Sequence, residues 1–298
     1  MSFLTTVMNE IFAIEPTSFD DDRDILHVMD RFGFHEGRFV SEFPKKWVRL
    51  VYEHIDTFPD LKRKKAEVAF AKYRHNCLVP VGYPYSPDKT WIENAREAKE
   101  HNVVADVIAS RVHGDGAQST GSIDAEYFAQ WGGRQAEILS SARNYADVAS
   151  MLLLLSHEVA IVDPYIGCFE SRFQVVLEEM AMIAARGRCR KFLVFSMEDR
   201  STTEQIARGA RSFFLPVLKL GISVTYRVLR DIGKPDADNH GRFVFSIKGA
   251  MQFDHGFDQE DPPRMRKVAV LDRPVHDRLC LQYLEGELPF SVVSEVEL

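Results

Sequence analysis

The chain has 298 residues, of which 45% are hydrophobic, and a formal net charge of −7. A chain of this length can bury a substantial core, either as two domains or as one large domain with an added helical part. The negative charge argues against a protein that coats nucleic acid by charge alone, although it leaves room for a local basic groove.

Cysteine usage and hydropathy indicate the cellular compartment. The four cysteines lie far apart and show no CxxC spacing, which is typical of reduced thiols rather than of a zinc site or a disulfide framework: Cys77, Cys168, Cys189 and Cys280. No apolar run approaches the roughly 18 residues of a membrane-spanning helix. The first residues lack a basic segment and carry Glu10, unlike a signal peptide. We therefore expect a cytoplasmic protein without a membrane span.

The first part of the chain reads as mainly helical. Phe3, Val7 and Ile11 recur every four residues and predict a helix that ends at Pro16. Three consecutive acids, residues 20–22, are typical of the first turn of a second helix. Further helices are predicted at residues 45–54, after Pro59 and around Trp91, followed by a β-rich segment at residues 103–109. Residues 1–120 are thus predicted to be a mainly helical region that binds a partner or has an accessory role.

Two polar stretches in this region have plain structural explanations. The run Lys62–Lys65 could contact a nucleic-acid backbone, but a run of four charges is more typical of a solvated helix face. Residues 111–122 contain three glycines and His113, yet they lack the GK[ST] ending of a phosphate-binding loop. This stretch is instead interpreted as a loop or domain junction, and a second domain is predicted at residues 121–298.

The second half has a more regular pattern. A long helix is predicted from Asp124 through Leu152. Strands alternating with helices are then predicted, with strands at residues 158–167, 191–197, 221–229, 239–248 and 267–272 and a last helix at residues 273–284. This order indicates an α/β domain with a mixed sheet flanked by helices. In such sheets ligands gather beyond the carboxyl ends of the strands, where Asp163, Ser196 and the strand that contains His240 could meet.

The segment Asn239–Asp258, NHGRFVFSIKGAMQFDHGFD, carries the main candidate site. Successive side chains of a strand point to opposite faces, so two groups form. The apolar group is Phe243, Phe245 and Ile247. The opposite face would hold His240, Arg242, Val244, Ser246 and Lys248, a row of donors and cations that could converge on a phosphate or a carboxylate. The alternative is a half-exposed strand whose polar face meets water.

Three features in this order resemble the phospholipase D superfamily: a strand that ends in DPYI, the later HGR strand, and the GAMQFDHGFD continuation. More narrowly, the order resembles the phospholipase-D-like C-terminal domain that follows MIT domains in ESCRT-associated proteins. That domain also occurs in bacterial proteins, some of them suspected of roles in defence against phage. The resemblance covers about residues 135–298 and implies a phospholipase-D-like α/β fold for the second domain.

The resemblance also bears on catalysis. Active phospholipase D enzymes use an HxKxxxxD motif twice, with one histidine as the nucleophile and the other as the acid. Here His240 matches the histidine, Arg242 stands at the lysine position, and Ile247 stands at the aspartate position. No second motif with suitable flanks is present in the chain. The resemblance therefore implies either a degenerate, non-catalytic protein or a metal-independent phosphodiesterase or nuclease in which two chains of a homodimer each supply His240.

The sequence leads to one site hypothesis. His240, Arg242 and Lys248, helped by Ser196, are predicted to hold a phosphate-bearing ligand such as a nucleic acid, a nucleotide or a phosphorylated head group. Asp163 is predicted to orient these cations, with a purely structural role in the DPY turn as the alternative. For His240 the alternative is a packed histidine bonded to a neighbouring carbonyl.

The sequence also leads to expectations about cofactors and partners. No cofactor and no metal are predicted, although Asp254, His255 and Asp258 could bind a divalent ion. The resemblance implies other protein subunits as partners, within a bacterial multi-protein antiviral system, and leaves a homodimer open. A third hypothesis is a purely structural protein whose helical half docks a partner.

Overall fold

The structure is a computed structural model that describes residues 9–109, 118–120, 123, 125–129, 134–198, 202–234 and 240–298. The chain divides into two units, Met1–Arg134 and Gln135–Leu298. The boundary falls later in the chain than the predicted one after residue 120. Both units combine helices with strands, and the α/β class expected from the sequence is confirmed.

The first unit is built on a five-stranded parallel sheet with the order β3-β2-β1-β4-β5. Its strands are β1 (Glu10–Ile14), β2 (Arg38–Ser41), β3 (Leu78–Val79), β4 (Asp106–Ala109) and β5 (Gln118–Ser119). Its helices are α1 (Asp22–Met29), α2 (Trp47–Ile55), α3 (Asp60–Cys77), α4 (Trp91–Glu100) and α5 (Ala125–Ala129). Most residues of its regular elements are therefore helical, as predicted, but the helices alternate with the strands of a parallel sheet.

The helix predicted through Ile11 is wrong, because β1 occupies that position. Residues Ile11–Ile14 are all buried, as expected for a central parallel strand that is covered on both faces. Such a strand has a continuous apolar run instead of an alternating pattern, and the run is easily read as part of a helix. The helices predicted at residues 45–54, after Pro59 and around Trp91 are confirmed as α2, α3 and α4.

The second unit is built on an eight-stranded mixed sheet with the order β13-β9-β8-β7-β10-β11-β12-β6. Its strands are β6 (Gln135–Leu139), β7 (Glu158–Val162), β8 (Lys191–Met197), β9 (Ser223–Asp231), β10 (Phe243–Ser246), β11 (Gly249–Phe253), β12 (Met265–Val270) and β13 (Phe290–Glu297). Strands β7, β8 and β9 are parallel to one another. All other neighbours pair antiparallel.

The helices of this unit are α6 (Ala142–Val148), α7 (Ser150–Leu155), α8 (Ser171–Ala184), α9 (Thr203–Phe213), α10 (Leu215–Lys219) and α11 (Arg273–Leu279), which continues as a π-helical turn through Leu284. The long helix predicted from Asp124 through Leu152 is wrong, because β6 separates α5 from α6. Within the described ranges, no helix is both long and apolar enough to cross a lipid bilayer.

The strand directions define two ends of the eight-stranded sheet. At one end, the carboxyl edge, β7, β8 and β9 finish and the antiparallel β10 begins. At the other end, the amino edge, β7, β8 and β9 begin, and β10 turns through residues 247–248 into β11. Both faces of β10 are buried, since Phe245 on one face is 0% exposed, and Val244 and Ser246 on the other are 0% and 1% exposed. The predicted row of donors on one face of this strand is therefore wrong.

Candidate functional site

Asp163 lies at the carboxyl edge, directly after β7, and is fully buried. Its Oδ1 atom accepts a hydrogen bond of 2.8 Å from the backbone N–H of Tyr165. Its Oδ2 atom accepts one of 2.8 Å from the backbone N–H of Phe257. Burial raises the pKa of the Asp163 carboxyl above its usual range, while these two bonds and the positive charge of Arg242 oppose the rise. The carboxyl thus fixes two turns of the carboxyl edge.

Arg242 comes to the same edge because β10 pairs antiparallel with β7, so that Phe243 lies opposite Val162. The central carbon of its guanidinium lies 5.5 Å from the centre of the Tyr165 ring, a cation–π distance. Tyr165 is 50% exposed, so the ring also offers an open surface. The structure therefore places Arg242 and Asp163 at the same edge, where the charge of Arg242 acts on the Asp163 carboxyl.

His240 is exposed and lies outside the strand, which begins only at Phe243. Its carbonyl oxygen accepts a hydrogen bond of 2.9 Å from Nη1 of Arg242. This bond keeps the guanidinium close to the turn that carries the imidazole. His240 and Arg242 are accordingly neighbours at the carboxyl edge, although not as successive residues of one strand face.

Ser196 is at the carboxyl end of β8 but does not face a ligand. It is 2% exposed, and its Oγ atom lies 2.6 Å from the hydroxyl oxygen of Tyr226. A Cβ atom on Gly167 would lie 3.1 Å from each of these oxygens, so the backbone of the turn after β7 covers them. The predicted ligand role of Ser196 is corrected to a buried hydrogen bond that supports this turn.

Lys248 lies at the opposite end of the sheet. It sits in the turn from β10 to β11, where Ser246 pairs with Gly249, and its backbone N–H donates to Ser246 Oγ at 3.1 Å. The four residues of β10 span about 13 Å, so Lys248 and Arg242 cannot hold the same phosphate. The prediction that Lys248 shares a site with Arg242 is therefore wrong, because the strand is shorter than expected and ends before it.

Two further residues near Asp163, Arg172 and Tyr165, are not among the predicted site residues. Arg172, at the start of α8, has its Nη1 atom 3.2 Å from Oδ2 of Asp258. A Cβ atom on Gly256 would lie 3.1 Å from Oδ2 of Asp163 and 3.1 Å from Oδ1 of Asp258, so the two carboxylates flank this glycine closely. Tyr165 could have been found within the DPY motif, whereas nothing in the local sequence marks Arg172.

The alternative metal site would consist of Asp254, His255 and Asp258. Asp258 is paired with Arg172 instead. Among the residues that the structure describes, no group of three or more His, Cys, Asp or Glu side chains is arranged to hold an ion.

No protein-family model and no curated protein matches the chain. Among solved structures, it is similar to TrmBL2, an archaeal chromatin protein described with a novel mode of DNA binding, at 10% identity and a TM-score of 0.29, over 58% of this chain and 57% of that one. It is also similar to Nuc from Salmonella typhimurium, a phospholipase D family member, at 8% identity and a TM-score of 0.31, over 54% of this chain and 97% of Nuc. Both TM-scores are below 0.5, so neither likeness assigns a function.

Proposed function

We propose that the carboxyl edge of the second unit binds a phosphate-bearing ligand, with Arg242 and His240 as the ligand-binding residues, on a degenerate phospholipase-D-like frame. The ligand class is a nucleic acid, a nucleotide or a phosphorylated head group. One observation carries the proposal: the guanidinium of Arg242 lies over the half-exposed ring of Tyr165, and its Nη1 atom bonds to the carbonyl of His240.

This arrangement suits anion recognition for physical reasons. Guanidinium keeps its charge at all relevant pH values and presents a planar fork of donors that matches phosphate oxygens. A guanidinium that is already held by an aromatic ring and a carbonyl loses less conformational entropy on binding. Asp163 does not face the ligand. It supports the site through the hydrogen bonds that it accepts from the backbone of Tyr165 and Phe257.

The test compares ligands that differ only in phosphate. AMP, inositol hexakisphosphate and a 5′-phosphorylated dinucleotide are titrated against the full chain by calorimetry. Each is compared with the same compound without the added phosphate. At least one phosphorylated member should bind while its parent does not. The variant Arg242→Gln should weaken that binding by about 10- to 100-fold, as for the loss of one charge-assisted hydrogen bond.

Arg211→Gln is the matched control, because it removes one exposed positive charge from α9, away from the proposed site residues. It should leave the affinity for these small ligands unchanged. Equal affinities of wild type and Arg242→Gln, in a variant that unfolds at the wild-type temperature, would remove the proposal.

A second candidate is a metal-independent phosphodiesterase in which two chains each supply His240, and the exposed position of His240 favours it. Ile247, which stands at the position of the orienting aspartate, lies beyond the far end of β10 and is 80% exposed, which counts against it. This candidate predicts cleavage of a phosphodiester in the presence of EDTA and its loss in His240→Ala. Intact substrate after incubation with the wild-type chain would eliminate it.

A place among the subunits of a bacterial antiviral system is a further part of the proposal, supported by the sequence resemblance alone. Phage plating on cells with and without the gene and its neighbours tests it. Protection that disappears with Arg242→Gln would link the site to this role.

A further inference from the structure

The turn between α8 and β8 carries four cations in six residues at the amino edge of the sheet, within the sequence RGRCRK at residues 186–191. Arg186, Arg188 and Arg190 are exposed. Lys191 forms an ion pair of 3.2 Å with Glu158 at the start of β7. Neither Arg186 nor Arg188 has an ion pair with any carboxylate of the described residues. The turn therefore presents uncompensated positive charge on a chain whose net charge is −7.

The backbone of this turn is fixed by its neighbours. The N–H of Arg188 donates to the carbonyl of Leu154 at 2.8 Å, and the N–H of Arg190 donates to the carbonyl of His157 at 2.9 Å. A Cβ atom on Gly187 would lie 2.4 Å from the carbonyl oxygen of Leu154, so only glycine allows this approach. Because the backbone is held, the cations are pre-organised, and an anion that binds them pays little ordering entropy.

The side chain of Arg190 contributes to the same rigidity. Its Nη1 atom donates to the carbonyls of Gly187 at 3.0 Å and Cys189 at 2.6 Å. This guanidinium therefore closes the turn on itself. Arg186 and Arg188 are left as the two groups that can reach an external anion.

The β10–β11 turn extends the same edge. Ser156, just before β7, lies with its Oγ atom 2.8 Å from Oγ of Ser246, which places this turn beside the start of β7. It carries Lys248 and Ile247, the latter 80% exposed. The acids near this side include Asp277 and Glu285, whose charges both act on Cys280, and His276, the neighbour of Asp277, bonds to the carbonyl of Ser246. On the other side, α10 ends in Lys219 shortly before β9, and the antiparallel β13 brings Glu297 to the start of β9.

We propose that the amino edge binds the sugar–phosphate backbone of a nucleic acid, with Arg186 and Arg188 contacting phosphates and Lys248 extending the contact. Arginine forms the bidentate contacts that phosphate oxygens favour. The exposed Ile247 would lie against sugars or base edges.

Charge and size distinguish this ligand from an anionic lipid surface. A bilayer is a plane that opposes a whole face of the protein, and a chain of charge −7 is repelled over a screening length of about 8 Å. A nucleic-acid strand is narrow and meets only the basic edge. One isoleucine offers at most about 3 kcal/mol of burial, less than the single acyl chain that anchors a protein only marginally.

The test measures the binding of a fluorescently labelled 20-mer, single-stranded and as a duplex, by anisotropy at several salt concentrations with the full chain. We expect the affinity to fall steeply as salt rises, because bound phosphates release counterions. The double variant Arg186→Gln/Arg188→Gln should flatten the slope of log affinity against log salt by about 2 and weaken binding at least about tenfold. Both side chains are exposed, so the variant should unfold at the wild-type temperature.

The control is Arg208→Gln/Arg211→Gln, which removes two exposed arginines from α9 in the same unit. It should leave the slope unchanged. The slope is also compared with and without the Arg186→Gln/Arg188→Gln substitutions in a chain that carries Arg242→Gln. Because Arg242 lies at the opposite edge, this comparison separates the inference from the proposed function. Absence of binding to either oligonucleotide, an unchanged slope in the Arg186/Arg188 variant, or binding to phosphatidylserine vesicles instead would overturn the inference.

Discussion

The Oδ2 atom of Asp163 accepts a hydrogen bond of 2.8 Å from the backbone N–H of Phe257, 94 residues further along the chain. Its Oδ1 atom accepts one from Tyr165, two residues away. A single buried carboxyl thus joins the turn after β7 to the turn after β11. Arg242 directly precedes β10, the strand between β7 and β11, and its guanidinium lies over the Tyr165 ring of the first of these turns.

The first prediction concerns Asp163→Asn. An asparagine of the same shape has one carbonyl oxygen, and its NH2 group would face one of the two backbone N–H donors. We expect the free energy of unfolding to fall by about 1 to 3 kcal/mol, the cost of a buried donor without an acceptor. Urea denaturation measures it. Asp254→Asn, at an exposed position of the same turn, should cost little, and an equal loss in both variants would contradict the assignment.

Much of the second unit could be predicted from the sequence. Strands β7, β8 and β9 are buried runs of apolar residues between clear turns, and the predicted ranges overlap the observed ones. The meeting of Asp163 and Arg242 also follows from general rules, because ligand-facing groups gather beyond the carboxyl ends of strands. The prediction also requires that β10 runs antiparallel to β7, so that the start of β10 lies beside the end of β7.

The remaining elements depend on tertiary contacts. β6 and β13 are the outermost strands of the sheet, and β13 carries an irregularity between Val292 and Ser294, which weakens its alternating pattern. Strand β10 ends at Ser246, where a two-residue turn begins. Lys248 lies in this turn and is therefore far from Arg242. A pattern of alternating residues does not show where pairing stops. Burial of Ser196 likewise depends on Gly167, which is far from it in sequence.

The second prediction tests the buried role of Ser196. Its Oγ atom and the hydroxyl of Tyr226 are 2.6 Å apart. We expect Ser196→Ala and Tyr226→Phe each to lower the free energy of unfolding by about 1 kcal/mol, and the double variant to lose less than the sum, because both singles break one bond. Denaturation of the four proteins measures the coupling.

The same variants separate structure from binding. Ser196→Ala should leave the affinity for a phosphorylated ligand unchanged within error, since the side chain is covered by the turn at Gly167. If Ser196→Ala weakens that affinity as much as Arg242→Gln does, the corrected role of Ser196 is itself wrong.

The third prediction compares two glycines. At Gly187 an added Cβ meets the backbone of Leu154 at 2.4 Å, whereas at Gly209 it meets the side chain of Phe169 at 2.7 Å. Backbone cannot move aside easily, so Gly187→Ala should destabilise by about 1 to 3 kcal/mol. In Gly209→Ala the ring can shift, and the higher helix propensity of alanine offsets up to about 1 kcal/mol. Thermal unfolding should show the larger loss for Gly187→Ala; the reverse order would contradict this packing.

The fourth prediction concerns the thiol of Cys280, whose Sγ atom lies 3.2 Å from Nε2 of His276. The pair has the spacing of a nucleophile and its base. However, Nε2 lies 2.7 Å from the carbonyl oxygen of Ser246 and therefore donates its proton there, so it cannot accept the proton of the thiol. Burial, with the nearby charges of Asp277 and Glu285, raises the pKa of Cys280 to about 11.

Two results follow for Cys280. Since the thiolate is the reactive form, alkylation of Cys280 by iodoacetamide should be slow at pH 7 to 8 and should accelerate as the pH approaches about 11. Because the pKa is higher in the folded chain than the ordinary value of 9.0, this thiol stabilises the fold below pH 9 and loses that contribution as the pH rises through about 11. Peptide-resolved mass spectrometry measures the labelling, with the unfolded chain as the reference. Labelling at neutral pH as fast as in the unfolded chain would mean that His276 activates the thiol after all, and the hydrogen bond to Ser246 could not be as described.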